Sequence, residues 1–196
     1  KKKTLHIDKN GISDTWKYSR IKKRIDYSLR KEKLLKLLDK HRGKYGEYDC
    51  IVPGSGGKDS CYAAHLLKYK YGMNPLTVTW PPLLYTTYGY QNFKNWLEIG
   101  GFDNVSAKRN EELSKFLTKN SILNLFHPFQ SFMLGQKIFP IRKALKLKIP
   151  LIFYGENEAE HGNSLVENST SLRNNAFHTR KNLDNIFLGG IKLKDI

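Results

Sequence analysis

The sequence predicts an α/β fold built on a parallel sheet with helices on both faces. Three observations predict it. A short β-branched run, Tyr48-Asp49-Cys50-Ile51-Val52, leads into a glycine-rich turn at 54–57. A helical stretch follows, with Ala63, Ala64, Leu66 and Leu67 on its apolar side. A second run, Pro75-Leu76-Thr77-Val78-Thr79-Trp80, then reads as a strand. Strand, helix and strand within roughly thirty residues make a βαβ unit, whose strands are parallel and whose crossover is right-handed.

The other elements follow in chain order. Residues 1–30 are basic and turn-rich, with Asp8-Lys9-Asn10-Gly11 as a turn. Helix signals begin near Tyr27 and firm up at Leu34, Leu35, Leu37 and Leu38, which share one face. Gly43 and Gly46 mark the exit. The helix after the glycine-rich turn is expected over 59–71, and Pro81-Pro82 ends the second strand. Residues 89–99 are expected to be helical, 103–106 a weak strand and 110–124 helical. A longer helix is expected over 130–146, kinked at Pro140. Ile149-Pro150-Leu151-Ile152-Phe153-Tyr154 is the strongest strand signal of this half and runs into Gly155-Glu156-Asn157. The stretch 158–190 is polar, rich in Asn, Ser and Thr, and reads as a loop or poorly ordered segment. The expected layout is a basic N-terminal segment with a helix (1–46), a Rossmann-like central domain (47–157) and a polar C-terminal segment (158–196).

The turn itself points to phosphate. The Walker pattern fails, because Asp59 follows Lys58 and Val52 stands where its first glycine belongs. The dinucleotide pattern also fails, because its third glycine would be Asp59. What remains is Ser55-Gly56-Gly57-Lys58-Asp59-Ser60 between a strand and a helix. Gly56 and Gly57 let the backbone turn sharply and bring N–H groups to a ligand. The helix aims its positive end at the same place. Ser55 and Ser60 offer hydroxyls and Lys58 a charge. Asp59 would repel a bare phosphate, which makes sense if it holds Mg²⁺. A capped glycine turn would need no ligand, but six matched positions in this setting favour one.

Charge agrees without choosing the anion. Lys plus Arg is 34 and Asp plus Glu 18, so 34 − 18 = +16. Such a surface attracts nucleotides, nucleic acid or membrane phosphates, and also simply keeps a protein soluble. Cys50 and Cys61 form neither a disulfide framework nor a zinc spacing, so a reducing, cytoplasmic setting is expected. No signal-peptide pattern follows Lys1-Lys2-Lys3, and no run nears the ~18 apolar residues of a membrane span. No Met starts the chain, which suggests a fragment or a trimmed form.

The hexamer at 55–60 resembles the pyrophosphate loop (PP-loop) of the N-type ATP pyrophosphatases, which have an adenine nucleotide alpha hydrolase-like fold. These split ATP between the α- and β-phosphates and adenylate a carbonyl-type oxygen, and a nitrogen or sulfur nucleophile then displaces AMP. More of the chain resembles one branch, the N-acetyl sugar amidotransferases of surface-polysaccharide (lipopolysaccharide O-antigen) biosynthesis. The resemblance lies in 48–53, in 68–80, in His127-Pro128-Phe129-Gln130, in Gly135-Gln136-Lys137 and in 149–160, with a further similar segment at Asn185-Ile186-Phe187-Leu188-Gly189-Gly190. It implies ATP and Mg²⁺ as cofactors and ammonia transfer onto an acetamido group of a sugar or sugar nucleotide. It also implies ammonia-supplying partners similar to the glutaminase and cyclase subunits of imidazole glycerol phosphate synthase. The family's paired C-x-x-C motifs are missing, since Ser13 and Trp16 stand where one pair falls, so no zinc is expected through them. The family chain runs beyond residue 196, so this chain is expected to be truncated relative to it.

The expected site is therefore Lys58, Asp59 and Glu156 as catalytic residues, with Asp59 as metal ligand. Ser55, Gly56, Gly57, Lys58, Asp59, Ser60, Thr79, Trp80 and Gly155 are expected to hold the nucleotide. Thr79 and Trp80 end a strand, where such folds place adenine; Trp80 packing in the core is the plain alternative. Glu156 could bind Mg²⁺ or orient ammonia, or stand in an ordinary polar turn. Cys61, at a helix N-terminus that lowers a thiol's pKa, reads better as a small packing residue, and Cys50 as core. His127 and His161 are candidates for substrate contact, and Tyr85, Tyr88 and Tyr90 for lining the pocket. Two other readings stay open: a tRNA-modifying enzyme, suggested by the +16 charge, and a nucleotide-binding remnant without turnover.

Overall fold

The computed structural model describes residues 7–156 and 186–196. The chain divides into two compact units, one of 1–40 with 156–176 and one of 41–155 with 177–196.

In the first unit the Asp8 turn forms as expected. Asp8 accepts from the N–H of Asn10 (2.9 Å) and of Ile12 (3.0 Å), and its carboxylate meets Lys17 at 2.6 Å. The Lys17 contact and these N–H groups hold the half-buried Asp8 carboxyl below its usual range. The turn-rich reading of 1–30 needs correction. Helix α1 (Asp14–Lys22) starts at Ser13, whose hydroxyl caps the Trp16 N–H at 3.1 Å. None of its residues is buried, so it carries no apolar period to read. Helix α2 (Tyr27–His41) begins after Asp26, which caps Leu29 N–H at 3.0 Å; Leu38 is fully buried, and Leu34 and Leu35 are partly covered.

The second unit is mixed α/β, with a three-stranded parallel sheet flanked by helices, compatible with a Rossmann-like fold. Strand β1 (Cys50–Pro53) pairs with β2 (Pro75–Thr79), which pairs with β3 (Asn104–Ser106). Alternation sends Ile51, Leu76 and Val78 to one face. There they pack with Ala144 and Ile149, and with partly buried Val105, Phe139 and Ile152. The other face carries Cys50, Val52, Thr77 and Thr79, all fully buried. Burial on both faces is what a covered parallel sheet requires. Each fully buried Ile or Val contributes about 2 kcal/mol. Asn104 Nδ2 donates to Thr77 Oγ1 and Thr79 Oγ1, both at 2.9 Å, so the polar groups of that face satisfy one another.

The expected helix at 59–71 is only partly α-helical. Helix α3 (Lys58–His65) passes into a π-helical turn (Leu66–Lys70), closed by Tyr71 N–H to the Leu66 carbonyl at 3.0 Å. The wider turn buries Leu67 and lets Lys68 and Tyr69 donate to the carbonyls of Gly101 and Gly100. Helix α4 (Thr87–Glu98) and helix α5 (Glu111–Leu125) fall where expected, capped by Thr86 and Asn110. Helix α6 (Gln130–Leu147) runs on through buried Pro140 and packs against β1 and β2.

The strand expected at 149–154 is also corrected. It lies along the free edge of β1 but makes only one parallel bridge, Ile51 to Ile152. The Ile51 N–H donates to Leu151 O (2.9 Å), and the Phe153 N–H donates to Ile51 O (2.8 Å). Pro150 has no N–H to extend the ladder. The end of the stretch read as loop, 186–190, enters a hairpin of β4 (Phe187–Leu188) and β5 (Ile191–Lys192). Gly189 and Gly190 supply its two positive-φ turn residues. Asn124 Nδ2 donates to Gly189 O (2.8 Å), and the Gly189 N–H donates to Gln130 Oε1 (2.6 Å), so the hairpin docks on α5 and α6.

Candidate functional site

The sheet order sets the location. The chain leaves β1 toward β2 and β3, then returns at 151–153 on the other edge of β1. In open parallel sheets a ligand crevice lies at the carboxyl ends of the strands beside such a reversal. The glycine-rich turn follows β1 at that point, and Gly155 follows the returning segment.

Each glycine of the turn has its own reason. Gly54 N–H donates to Val78 O at 3.0 Å, and a Cβ there would lie 2.5 Å from the Ser60 side chain and 2.6 Å from the Trp96 ring. Gly56 has φ +88°, and a Cβ would lie 2.7 Å from the Phe93 backbone. Gly57 differs. It is exposed, has an ordinary φ of −74°, and nothing lies within 4 Å of where its Cβ would stand. It is the N-cap of α3 and offers no side-chain acceptor to the first-turn N–H groups. The space beside this N-cap is open, and no side chain caps the first turn, which suits an anion at the positive end of the helix.

Ser60 Oγ turns back to the Gly57 carbonyl (3.0 Å). Lys58 Nζ donates to Asp59 Oδ1 at 2.6 Å, with side chains 88% and 45% exposed. A pair that exposed contributes little stability and is free to exchange partners. Among the described residues no group of three or more His, Cys, Asp or Glu could hold a metal. Asp59 is the one carboxylate of the turn, so any Mg²⁺ there would take most of its oxygen ligands from elsewhere.

Gly155 completes the turn's surroundings. A Cβ at 155 would lie 2.6 Å from the Asp59 carbonyl carbon and oxygen and 2.8 Å from Ser60 N. The fold thus brings Ser55 to Ser60 and Gly155 together. Glu156, next in the chain, is exposed and belongs to the first unit. Cys61, in the first turn of α3, has its thiol pushed up by burial, the opposite of an activated thiol. The Cys50 thiol is pushed up to about 12, first by burial and then by the Asp49 charge.

Thr79 and Trp80 sit apart from the turn in role. The Thr79 hydroxyl is committed to Asn104, and its carbonyl accepts from Ala107 N–H at 2.8 Å. Trp80 packs on Phe139 (ring centroids 5.8 Å) and on Gly135, where any Cβ would overlap the indole. Tyr85 meets Tyr90 edge-on and Phe93 at a tilt, while Tyr88 is 84% exposed. The Phe93 backbone in turn backs Gly56, so Tyr85 supports the turn indirectly. His161 lies outside the described residues.

His127 and Trp80 do meet one feature. They line a cavity of about 700 Å³ at the carboxyl ends of β2 and β3, walled by α5, α6 and the hairpin. Lys108, Arg109, Lys137 and Arg142 also line it, and none of residues 54–60 does. Sequence reading missed these four cations. They come from two distant segments without local spacing, so only the folded chain groups them.

No helix among the described residues is long and apolar enough to cross a membrane. Compared with known proteins, the chain matches no family model, and no curated protein matches it.

Proposed function

We propose that the chain is an ATP-dependent amidotransferase of the PP-loop type, with an adenine nucleotide alpha hydrolase-like fold. It would act on an acetamido group of a sugar or sugar nucleotide. The observation that carries the reading is the uncapped, open N-terminus of α3 beside Gly56 and Gly155 at the carboxyl end of β1. The first-turn N–H groups and Lys58 Nζ would hold the triphosphate, and Asp59 would hold the Mg²⁺ ion that accompanies the nucleotide. That ion would neutralise charge on the leaving pyrophosphate.

The acetamido oxygen attacks the α-phosphorus and pyrophosphate leaves, giving an AMP ester of the imidate. Ammonia adds to its carbon and AMP leaves, giving the acetamidino group. Lys58 stabilises the charge that builds on the phosphate oxygens. A glutaminase-type partner supplies that ammonia.

The test is incubation with ATP, Mg²⁺, ammonia and a panel of nucleotide-linked N-acetyl sugars. AMP and pyrophosphate should form only when an acceptor is present. ATP binding without either product, for every acceptor tried, counts against the amidotransferase reading and leaves a nucleotide-binding role.

A further inference from the structure

We infer that the cavity at the carboxyl ends of β2 and β3 is a second binding site, separate from the glycine-rich turn, for a small amphipathic anion. Its volume of about 700 Å³ lies within the range of sites for small ligands. Its wall is mainly apolar, with Trp80, Phe132, Phe139, Leu113 and Leu117 among the lining side chains. Among the described residues, Lys108, Arg109, Lys137 and Arg142 line it and no Asp or Glu does. An apolar space edged by Lys108, Arg109 and Arg142 favours a ligand with an apolar body and a phosphate, sulfonate or carboxylate head.

The site is built rather than left over. Gly135 makes room for the Trp80 indole, and Arg109 is fixed by donating to the Pro82 carbonyl at 2.7 Å. Asn110 caps α5 in the cavity wall through Leu113 N–H at 2.9 Å, which fixes the start of that helix. The hairpin is held over α5 and α6 by the Gln130 and Asn124 bonds, which keeps the wall in place. The inference does not depend on ATP use.

The probe is 8-anilinonaphthalene-1-sulfonate, with N-phenyl-1-naphthylamine as its neutral analogue. The folded chain should bind one sulfonate probe per molecule, saturably. Saturating ATP with Mg²⁺ should not displace it. Lys108→Glu with Arg142→Glu, both at exposed positions, should weaken the sulfonate about tenfold or more and leave the neutral probe unchanged. Circular dichroism and neutral-probe affinity report whether that variant folds; if both fall, Lys108→Gln with Arg142→Gln replaces it under the same expectation. Absent or unsaturable sulfonate binding, indifference to the charge changes, or displacement by ATP would each overturn the inference. Failure here leaves the amidotransferase reading intact, and failure of AMP formation leaves this site intact.

Discussion

Gly155 lies directly against Asp59, so close that a Cβ at 155 would stand 2.6 Å from the Asp59 carbonyl carbon. The two residues are far apart in sequence and meet because residues 151–153 return along the edge of β1. Backbone meets backbone here, so neither side can yield by turning a side chain. Gly155→Ala should therefore destabilise the fold by about 1–3 kcal/mol and shift α3 at its first turn. Denaturant unfolding measures the loss. Nucleotide titration should show weaker binding in the fraction that folds.

Gly57 separates binding from folding. With open space around it and an ordinary φ, Gly57→Ser should be accepted and should cap α3. Stability should rise by a few tenths of a kcal/mol, about 0.3. ATP affinity should fall roughly tenfold, because the new hydroxyl takes a donor the phosphate needs and occupies its space. Gly56→Ala, at φ +88° and 2.7 Å from the Phe93 backbone, should lose both stability and binding. Thermal melts with and without ATP distinguish the two variants.

Asp49 ties the entry to β1. It is buried, and it accepts from Gly43 N–H and from Asn74 N–H at 2.7 Å. Asp49→Ala strands both donors and should cost about 2–4 kcal/mol. Asp49→Asn keeps one acceptor and should cost about half as much. Urea unfolding curves give both values.

The thiols predict an alkaline weakness. The Cys50 thiol ionises near 12 in the folded chain, against an ordinary value of 9.0. Below pH 9 it is neutral folded and unfolded and adds no pH dependence. Above pH 9 the unfolded thiol loses its proton first, so stability falls as pH rises toward 12, by of order 4 kcal/mol in all. Cys50→Ala should remove that part of the slope in unfolding curves taken from pH 8 to 11. At pH 7 iodoacetamide should leave folded Cys50 unlabelled and modify Cys61 no faster than a free thiol.

The βαβ unit was legible because its signals are local. Ile51, Val52, Thr77 and Val78 alternate between two covered faces, and Gly54 to Gly57 break the chain between them. Helix α1 was not legible, since none of its residues is buried and only Ser13 marks its start. The π-helical turn at 66–70 arises from tertiary contacts of Lys68 and Tyr69 with the 100–101 turn, which no local pattern announces. The strand expected at 149–154 was overread. Its residues are apolar, yet Pro150 and a four-residue partner limit it to a single bridge. The glycine-rich turn was readable as a phosphate site, but the open setting of Gly57 and the tight one of Gly56 look identical in sequence. The cavity's cations were invisible for the same reason: they become neighbours only when β3, α5 and α6 assemble.

The most direct measurement is ³¹P NMR of ATP incubated with the chain, Mg²⁺, ammonia and an N-acetyl sugar nucleotide. AMP and pyrophosphate should appear in equal amounts, at a rate abolished by Asp59→Ala and strongly reduced by Gly57→Ser. Release of ADP and phosphate, or AMP formation unaffected by either substitution, would contradict nucleotide activation at the Ser55–Ser60 turn.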